Sequence, residues 1–457
     1  MRKDALLAIS LTVAAVTAVA TAGCGGGDES NQTAGEAETG ANAGVIPGLH
    51  GIREATVARR VEQLRGLKFR RLPAVEVVDE RELERAVEKV SRKRIQSDPA
   101  LADREERSAA AAEALLLLSG VVDSKSDVAL LKAAGSDIGG IYIDQQDKLY
   151  LVRKLVGRSR RIAEIVIAHE LIHALEDQNL QIFERSDQPL SDRSDAGHAL
   201  IEGSATLGES EYASRYVDKD QSPQQILARR LRGIRKAKAP PGLQPAIGFP
   251  YIAGTQFASS LQRPGGWRAV TDAEKRPPES TEQILHPRKY LRREEPKRIS
   301  IDLKKSLPSG WRRLGGGDLG ELSTRMVLAA GVSQKRAIDA ARGWAGGTFE
   351  IWYERRLPTI QCGQHCRAHT AAVLTWVSDT PQAGGGLRRA LRAYLRAGVD
   401  ATASGRDSWR VNDGAAMLVG HGPRTTLVFA PDERLAGRLA QSAIKASQPQ
   451  TTERSDR

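Results

Sequence analysis

One apolar stretch, residues 165–176, holds the residue types whose spacing could support catalysis. It contains His-Glu-Leu-Ile-His at positions 169–173. Residues four apart lie one turn above each other on the same face of an α-helix. His169 and His173 can therefore face one metal ion, and Glu170 can reach a water bound to that ion. Two imidazoles, an open position for water and a carboxylate base are the parts of a zinc-dependent hydrolase.

The pattern itself fixes only three residues, so it also occurs by chance. The sequence around it distinguishes this occurrence from a chance match. The helix is predicted to be apolar nearly all round and therefore buried. Histidine and glutamate side chains in a buried helix are costly unless they are paired or bind a metal. The apolar residues that make this case are Ile165, Val166, Ile167, Leu171, Ile172, Ala174 and Leu175.

A zinc site needs a third protein ligand. One known extension places a glycine and a third histidine after the pattern, but Glu176 and Asn179 occupy those positions and exclude it. Glu202 follows His173 by 29 residues (202 − 173), in a second helical stretch. His198 is an alternative ligand because it lies four residues before Glu202 on the same helix face.

The combined motifs resemble the gluzincin metallopeptidases, the thermolysin-like group with His-Glu-x-x-His and a downstream Glu. More closely, the chain resembles a poorly characterised family of bacterial and archaeal zinc-peptidase-like proteins, over roughly residues 60 to 440. The motifs that carry the resemblance stand at 140–144, 169–178, 202–206 and 280–290. The resemblance favours Glu202 over His198 and implies that Zn²⁺ is bound by His169, His173 and Glu202. Ser204 departs from the family, which commonly has an acidic residue there.

Residues 139–152 are predicted to form a β-hairpin, because apolar residues alternate on both sides of a polar turn. The resemblance implies that this hairpin forms the rim of the cleft and pairs with a peptide substrate through Gly140, Tyr142 and Asp144. A hairpin that only packs against the core is the alternative.

Residues 280–290 crowd polar side chains into a short proline-flanked segment. The resemblance makes His286 and Tyr290 candidates for the donor that stabilises the oxyanion of the transition state. A structural role for His286, capping the loop, is the alternative.

The N-terminus is typical of an exported protein. Arg2 and Lys3 precede an apolar run and a small-residue stretch that ends at Cys24, which predicts a signal peptide over 1–23. Cys24 resembles the acylated cysteine of bacterial lipoproteins, so we expect a lipid anchor in the cell membrane, on its extracytoplasmic side. Residues 24–48 are predicted to be a flexible tether. An uncleaved membrane anchor, or cleavage without a lipid, is the alternative.

Composition limits the partners. The chain has 457 residues, 40% of them hydrophobic, a net charge of +12 and a pI near 9.7. A basic protein suits an anionic membrane surface, and no nucleic-acid-binding motif is present. The expected partners are therefore a protein or peptide substrate and the membrane, with no nucleic acid.

The predicted fold is α+β. A mostly helical region, 49–138, precedes a mainly helical zincin-type core with a β-hairpin rim, 139–295, and a smaller α+β domain follows at 300–450. In the core, one helix is expected to end at the Pro-Gly-Gly sequence of 264–266. In the last domain, Cys362 and Cys366 are expected to form a disulfide, as exported proteins oxidise such pairs. A zinc site formed by both thiolates with His369 is the alternative.

These observations predict an exported, membrane-anchored zinc metalloendopeptidase that hydrolyses peptide bonds with a Glu-assisted water. The alternative is a catalytically silent zincin-fold lipoprotein that acts as a binding or scaffolding module in the cell envelope.

Overall fold

The computed structural model describes residues 45–122, 139–185, 191–235, 240–246, 248–354 and 366–446. The predicted signal peptide, Cys24, most of the predicted tether and Cys362 lie outside the described residues, so the predictions made for them stay predictions. No helix in the described part of the chain is both long and apolar enough to cross a membrane.

The first part of the chain is mainly helical, with one small sheet. The sheet has the order β1-β3-β2 and consists of β1 (Ala74–Val78), β2 (Gly140–Ile143) and β3 (Lys148–Val152). The helices are α1 (Glu54–Arg65), α2 (Glu80–Ser97), α3 (Pro99–Leu118), α4 (Arg153–Val156), α5 (Arg160–Leu180), α6 (Ile182–Arg185), α7 (Asp192–Tyr212), α8 (Pro223–Arg235), α9 (Phe249–Lys275), α10 (Thr281–Leu285) and α11 (Pro287–Leu291). A π-helical turn, Ala213–Val217, extends α7.

The predicted hairpin at 139–152 is confirmed. β2 and β3 pair antiparallel, and the 3-10 turn Asp144–Gln146 joins them. β1 pairs with the other side of β3 in a parallel arrangement, so β2 lies at the edge of the sheet.

Helices α5 and α7 form the centre of this part of the molecule. Each begins at a serine whose side-chain oxygen accepts a hydrogen bond from a backbone N–H of the first turn, Ser159 for α5 and Ser191 for α7. Every residue of α5 from Ala163 to Glu176 is buried. The predicted apolar helix is therefore enclosed on all sides.

The segment α9 packs along α7 and consists of two helical stretches. The prediction that the first helix ends at the Pro-Gly-Gly sequence is confirmed, because Gly266 has φ 63° and ψ −169°, a non-helical conformation that glycine adopts without strain. A second helical stretch then continues to Lys275.

The last part of the chain is an α+β unit built on an antiparallel seven-stranded sheet of order β4-β5-β6-β10-β9-β8-β7. Its strands are β4 (Trp311–Asp318), β5 (Trp344–Glu354), β6 (Thr370–Ser378), β7 (Thr402–Ala403), β8 (Ser408–Val411), β9 (Gly414–Val419) and β10 (Arg424–Ala430). Its helices are α12 (Glu321–Ala329), α13 (Gln334–Ala341), α14 (Pro381–Gly398) and α15 (Glu433–Ala446). Helix α3 shares a hydrophobic core with this sheet, through residues that include Ala111, Ala114 and Leu118.

Candidate metal centre

Three side chains from α5 and α7 meet in the interior of the helical part. Nε2 of His169 lies 3.1 Å from Nε2 of His173. The carboxylate of Glu202 lies 3.5 Å from the first of these nitrogens and 3.6 Å from the second. The three side chains are almost completely buried, and they offer one ligand atom each within 4.8 Å of one another.

These separations fit a metal ion with tetrahedral coordination. Ligand atoms bound to zinc at about 2.0–2.1 Å in a tetrahedron lie about 3.3 Å from one another. Both carboxylate oxygens of Glu202 are buried and accept no hydrogen bond from a described residue. A buried carboxylate without a donor is costly, and a cation between the three side chains would remove that cost.

The protonation states also suit metal binding. Burial lowers the pKa of His173 to about 3, so its imidazole is neutral. Burial opposes ionisation of Glu202, but the imidazoles that face it outweigh this effect and lower its pKa. Neutral imidazole and ionised carboxylate are the forms that bind zinc.

Glu209 orients the first imidazole. Nδ1–H of His169 donates to Glu209 Oε2 at 3.0 Å, which fixes the tautomer and directs Nε2 to the metal position. Arg230 of α8 donates to the same carboxylate oxygen. A carboxylate hydrogen-bonded to a metal-ligating histidine is a common outer-shell feature of zinc sites. Sequence reasoning missed Glu209, although it lies seven residues, about two turns, after Glu202 on the same face of α7.

Glu170 lies between the ligands and the edge of the small sheet. Its Oε2 accepts a hydrogen bond from the backbone N–H of Tyr142 at 3.0 Å. Gly140 permits this close packing, because a Cβ there would lie 3.0 Å from Cγ of Glu170 and 2.9 Å from Cδ2 of Leu151. The N–H of Tyr142 points away from β3, so Glu170 contacts β2 on the side where no described strand pairs with it. All four residues of β2 are buried. Asp144 lies in the turn that follows.

Two further donors face this centre, and sequence reasoning missed both. The hydroxyl of Tyr251 on α9 and the Nε and Nη2 groups of Arg230 are buried and form no hydrogen bond with a described residue. The charges of Glu170 and Glu202 act on both side chains. Burial, reinforced by Glu202, raises the pKa of Tyr251 well above its usual range, so the hydroxyl keeps its proton.

His198 does not belong to the group of three ligand atoms, although its Nε2 lies 3.8 Å from Glu202. His286 and Tyr290 are not brought to this centre. His286 Nε2 pairs with Glu321 of α12 at 2.9 Å. The hydroxyl of Tyr290 donates to the carbonyl of Arg276 at 3.0 Å, after the end of α9.

The segment 280–290 instead connects the helical part to the C-terminal α+β unit. Thr281 donates to the buried Asp192 through its N–H and its hydroxyl, at 3.0 and 2.5 Å. Asp192 lies ten residues, about 15 Å along α7, from Glu202. Lys289 bridges Glu282 to Asp379 of the C-terminal unit. The polar crowding that suggested an active-site segment therefore reflects ion pairs between the two parts of the chain.

Ser204, which departs from the family pattern, hydrogen-bonds Glu176 at 2.7 Å. Glu176 in turn forms a completely buried ion pair with Arg65, which also pairs with Glu274. The carboxylate that contacts His169 is that of Glu209 and does not come from position 204. Cys366 begins the 3-10 turn Cys366–His369, and its predicted disulfide with Cys362 stays a prediction.

Comparison with known families finds one match. Residues 311–440 match the family model described as Domain of unknown function (DUF8575). The matched region covers all seven strands of the C-terminal sheet and lies outside the candidate metal centre. No curated protein and no solved structure matches the chain.

Proposed function

We propose that the chain is a zinc-dependent peptide hydrolase of the gluzincin type, with His169, His173 and Glu202 as the zinc ligands. The spacing of the three buried ligand atoms, 3.1 to 3.6 Å, is the observation that carries this proposal. Bound zinc would lower the pKa of a water and polarise a carbonyl. The two histidines and one glutamate leave an open fourth position, as in catalytic rather than structural zinc sites.

Glu170 is the general base. Its carboxylate takes a proton from the attacking water and delivers it to the leaving amine. The N–H of Tyr142 holds one carboxylate oxygen of this base beside β2. Because Tyr142 belongs to the edge strand, the base and the strand that would bind substrate have a fixed separation.

Tyr251 and Arg230 are the donors for the developing oxyanion, the role for which the sequence suggested His286 and Tyr290. Both side chains have buried donor groups without partners among the described residues. Preorganised donors in a buried site act strongly on charge that develops in the transition state. Arg230 remains held by Glu209, which limits its motion during the reaction.

The side of β2 that pairs with no described strand supports a peptide as the substrate. An extended peptide can add to an exposed sheet edge through backbone hydrogen bonds. A peptide paired there would pass beside Glu170, because that carboxylate already accepts from the backbone N–H of Tyr142. A peptide in this position would run along Gly140, Tyr142 and Asp144, the residues for which the resemblance implies substrate contact. Export, and a lipid anchor at Cys24, are retained as parts of the proposal.

The test is hydrolysis of casein by protein reconstituted with one equivalent of Zn²⁺, with and without a chelator. Glu170→Gln is the matched variant, since the amide keeps the shape and the acceptor for Tyr142 but cannot take the proton. We expect this variant to bind zinc normally and to lose hydrolysis. Equal digestion by the wild type and by zinc-loaded Glu170→Gln would remove Glu170 from the mechanism, whereas no digestion by the zinc-loaded wild type would favour a binding module.

A further inference from the structure

The hydroxyl of Tyr142 connects strand β2 to the helix that carries Glu170. It donates to Asp147 Oδ1 at 3.0 Å. The same carboxylate oxygen accepts a hydrogen bond from the side-chain amide of Gln178, also at 3.0 Å. Gln178 belongs to α5 and follows Glu170 by eight residues (178 − 170), about 12 Å along the helix. One carboxylate therefore joins the strand to a second point on α5.

Tyr142 is held at both of its polar ends. Its backbone N–H donates to Glu170 Oε2 at 3.0 Å, and its hydroxyl binds the carboxylate of Asp147. Its ring centre lies 6.2 Å from that of Phe183, which lies 6.1 Å from the ring centre of His173. The buried side chain of Tyr142 therefore follows α5 from the base toward the C-terminal end of the helix.

The protonation states favour the hydrogen bonds of this network. Burial, reinforced by Asp147, raises the pKa of Tyr142 above its usual range, so the hydroxyl keeps the proton that it donates. Burial opposes ionisation of Asp147, but hydrogen bonds from Arg71, Gln178 and Tyr142 outweigh this effect and lower its pKa. The carboxylate is therefore ionised, and hydrogen bonds to an ionised acceptor are about twice as strong as those between neutral groups.

The backbone around the carboxylate is also held in place. Asp147 ends the turn between β2 and β3 with φ 47°, a left-handed conformation that aspartate adopts more readily than most residues. Gln178 binds the segment before β1, since it donates to the carbonyl of Arg71 at 3.0 Å and accepts from the N–H of Arg70 at 3.1 Å. Arg71 in turn donates to Asp147. The network therefore attaches the small sheet to α5 from two sides.

We propose that Asp147 and Gln178 are positioning residues for Glu170. They hold the hydroxyl of Tyr142, and the backbone N–H of the same residue holds the carboxylate of Glu170. The inference rests on the proposed hydrolase, in which Glu170 is the general base. A base must stay within hydrogen-bonding reach of the water whose proton it takes. A strand that moved away from α5 would release the carboxylate from this hydrogen bond.

Tyr142→Phe is the test, because it removes the hydroxyl and keeps the ring. Hydrogen exchange of the backbone N–H of residue 142 is measured by mass spectrometry in the zinc-loaded full chain, since this N–H donates to Glu170. We expect exchange about threefold to tenfold faster than in the wild type, the range for the loss of one hydrogen bond. For the hydrolysis of casein, kcat should fall by a similar factor at unchanged KM and zinc content.

Two variants at the other members of the network separate its parts. Gln178→Ala removes the connection to α5, and it should accelerate exchange at residue 142 as Tyr142→Phe does. Asp147→Asn keeps an acceptor oxygen for both donors, so it should stay close to the wild type in exchange and in kcat.

Tyr150→Phe is the matched control. The hydroxyl of Tyr150, on the neighbouring strand β3, donates to Gln146 within the turn itself, at 2.6 Å. Its removal should change neither kcat nor the exchange at residue 142.

Equal exchange at residue 142 in Tyr142→Phe and Tyr150→Phe would overturn the proposal. Faster exchange in Tyr142→Phe at an unchanged kcat would also overturn it, because catalysis would then not depend on this contact. Faster exchange in Tyr142→Phe, in a protein whose zinc-loaded wild type hydrolyses no peptide, would support the positioning of Glu170 by this network while refuting the proposed activity.

Discussion

Gly203 of α7 and Gly254 of α9 face each other where the two helices are closest. A Cβ at Gly203 would lie 2.1 Å from the carbonyl carbon of Gly254, and a Cβ at Gly254 would lie 1.9 Å from the carbonyl oxygen of Ala199. Only glycine allows this approach. Glu202 is adjacent to the first glycine, and Tyr251 lies about one turn before the second, so the contact sets the distance between the proposed metal ligand and the proposed oxyanion donor.

Gly254→Ala should therefore damage both packing and activity. The new methyl group meets backbone rather than a flexible side chain, so the helices must separate. We expect the free energy of unfolding to fall by about 2–3 kcal/mol, measured by urea denaturation. In the zinc-loaded protein that remains folded, kcat should fall because Tyr251 moves away from Glu202.

Gly386→Ala is the control for this change. Gly386 lies inside α14, and the nearest atom to its Cβ is the tip of Arg389, at 3.9 Å. Alanine at an unhindered helical position should raise stability by about 0.5–1 kcal/mol. If Gly254→Ala is as stable as Gly386→Ala, the close contact between α7 and α9 does not exist in solution.

The hydrogen bond between Glu209 and His169 predicts that a change at Glu209 weakens zinc binding less than the loss of a ligand does. Glu209→Gln leaves the three ligands in place but weakens the hydrogen bond that orients His169. Zinc affinity should fall about tenfold to a hundredfold, measured by competition with a chromogenic chelator. Glu202→Ala should lose zinc more severely, because it removes a ligand.

His198→Ala is the discriminating control for the ligand assignment. His198 lies near Glu202 but outside the group of ligand atoms, so its loss should leave zinc binding within about threefold of the wild type, far short of the loss in a ligand variant. If the His198→Ala protein binds no zinc and the Glu202→Ala protein still binds it, the third zinc ligand is His198 and not Glu202.

The oxyanion role of Tyr251 predicts a kinetic effect without a loss of metal. Tyr251→Phe should lower kcat about a hundredfold at unchanged zinc content and melting temperature. Tyr290→Phe removes the same hydroxyl from a residue that bonds the backbone at the end of α9, and it should keep kcat. If Tyr251→Phe keeps kcat and Tyr290→Phe loses it, the oxyanion donor lies in the segment 280–290.

How much the sequence could predict depends on whether a feature is local. The positions of His169 and His173 follow from the period of a single helix, so the spacing alone was sufficient to pair them. Tyr251 and Arg230 reach the centre from two other helices, and no local pattern distinguishes them from ordinary buried or basic residues. The approach of Tyr251 depends on the contact between Gly203 and the facing helix α9, which is visible only in three dimensions.

The C-terminal sheet shows the same limit. The sequences of β6 and β10 are rich in β-branched residues, a composition that favours strands. The sequence of β4 does not predict a strand, because it contains three consecutive glycines, 315–317, which are unfavourable in isolated strands. They occur there because α3 and β5 pack closely. A Cβ at Gly315 would lie 2.8 Å from Ala111, and one at Gly316 would lie 2.3 Å from the carbonyl oxygen of Phe349.

The buried carboxyl of Asp192, at the connection between the two parts of the chain, predicts a specific pH dependence. Burial, together with the charges of Asp195 and Asp318, raises its pKa from 3.8 to about 7. The folded state therefore retains this proton at pH values where the unfolded chain has released it. The stability that the proton provides is complete below about pH 4 and is lost as the pH rises toward 7.

Asp192→Asn removes this titration while keeping an acceptor for Thr281. The wild type should lose stability relative to the variant between about pH 4 and 7, by at most about 4 kcal/mol for a shift of about three pKa units. Above pH 7 the difference should stay constant. Urea unfolding of both proteins at half-unit pH steps measures it. Parallel stability curves, or a wild type that gains stability over this range, would show that Asp192 is ionised in the folded protein at low pH.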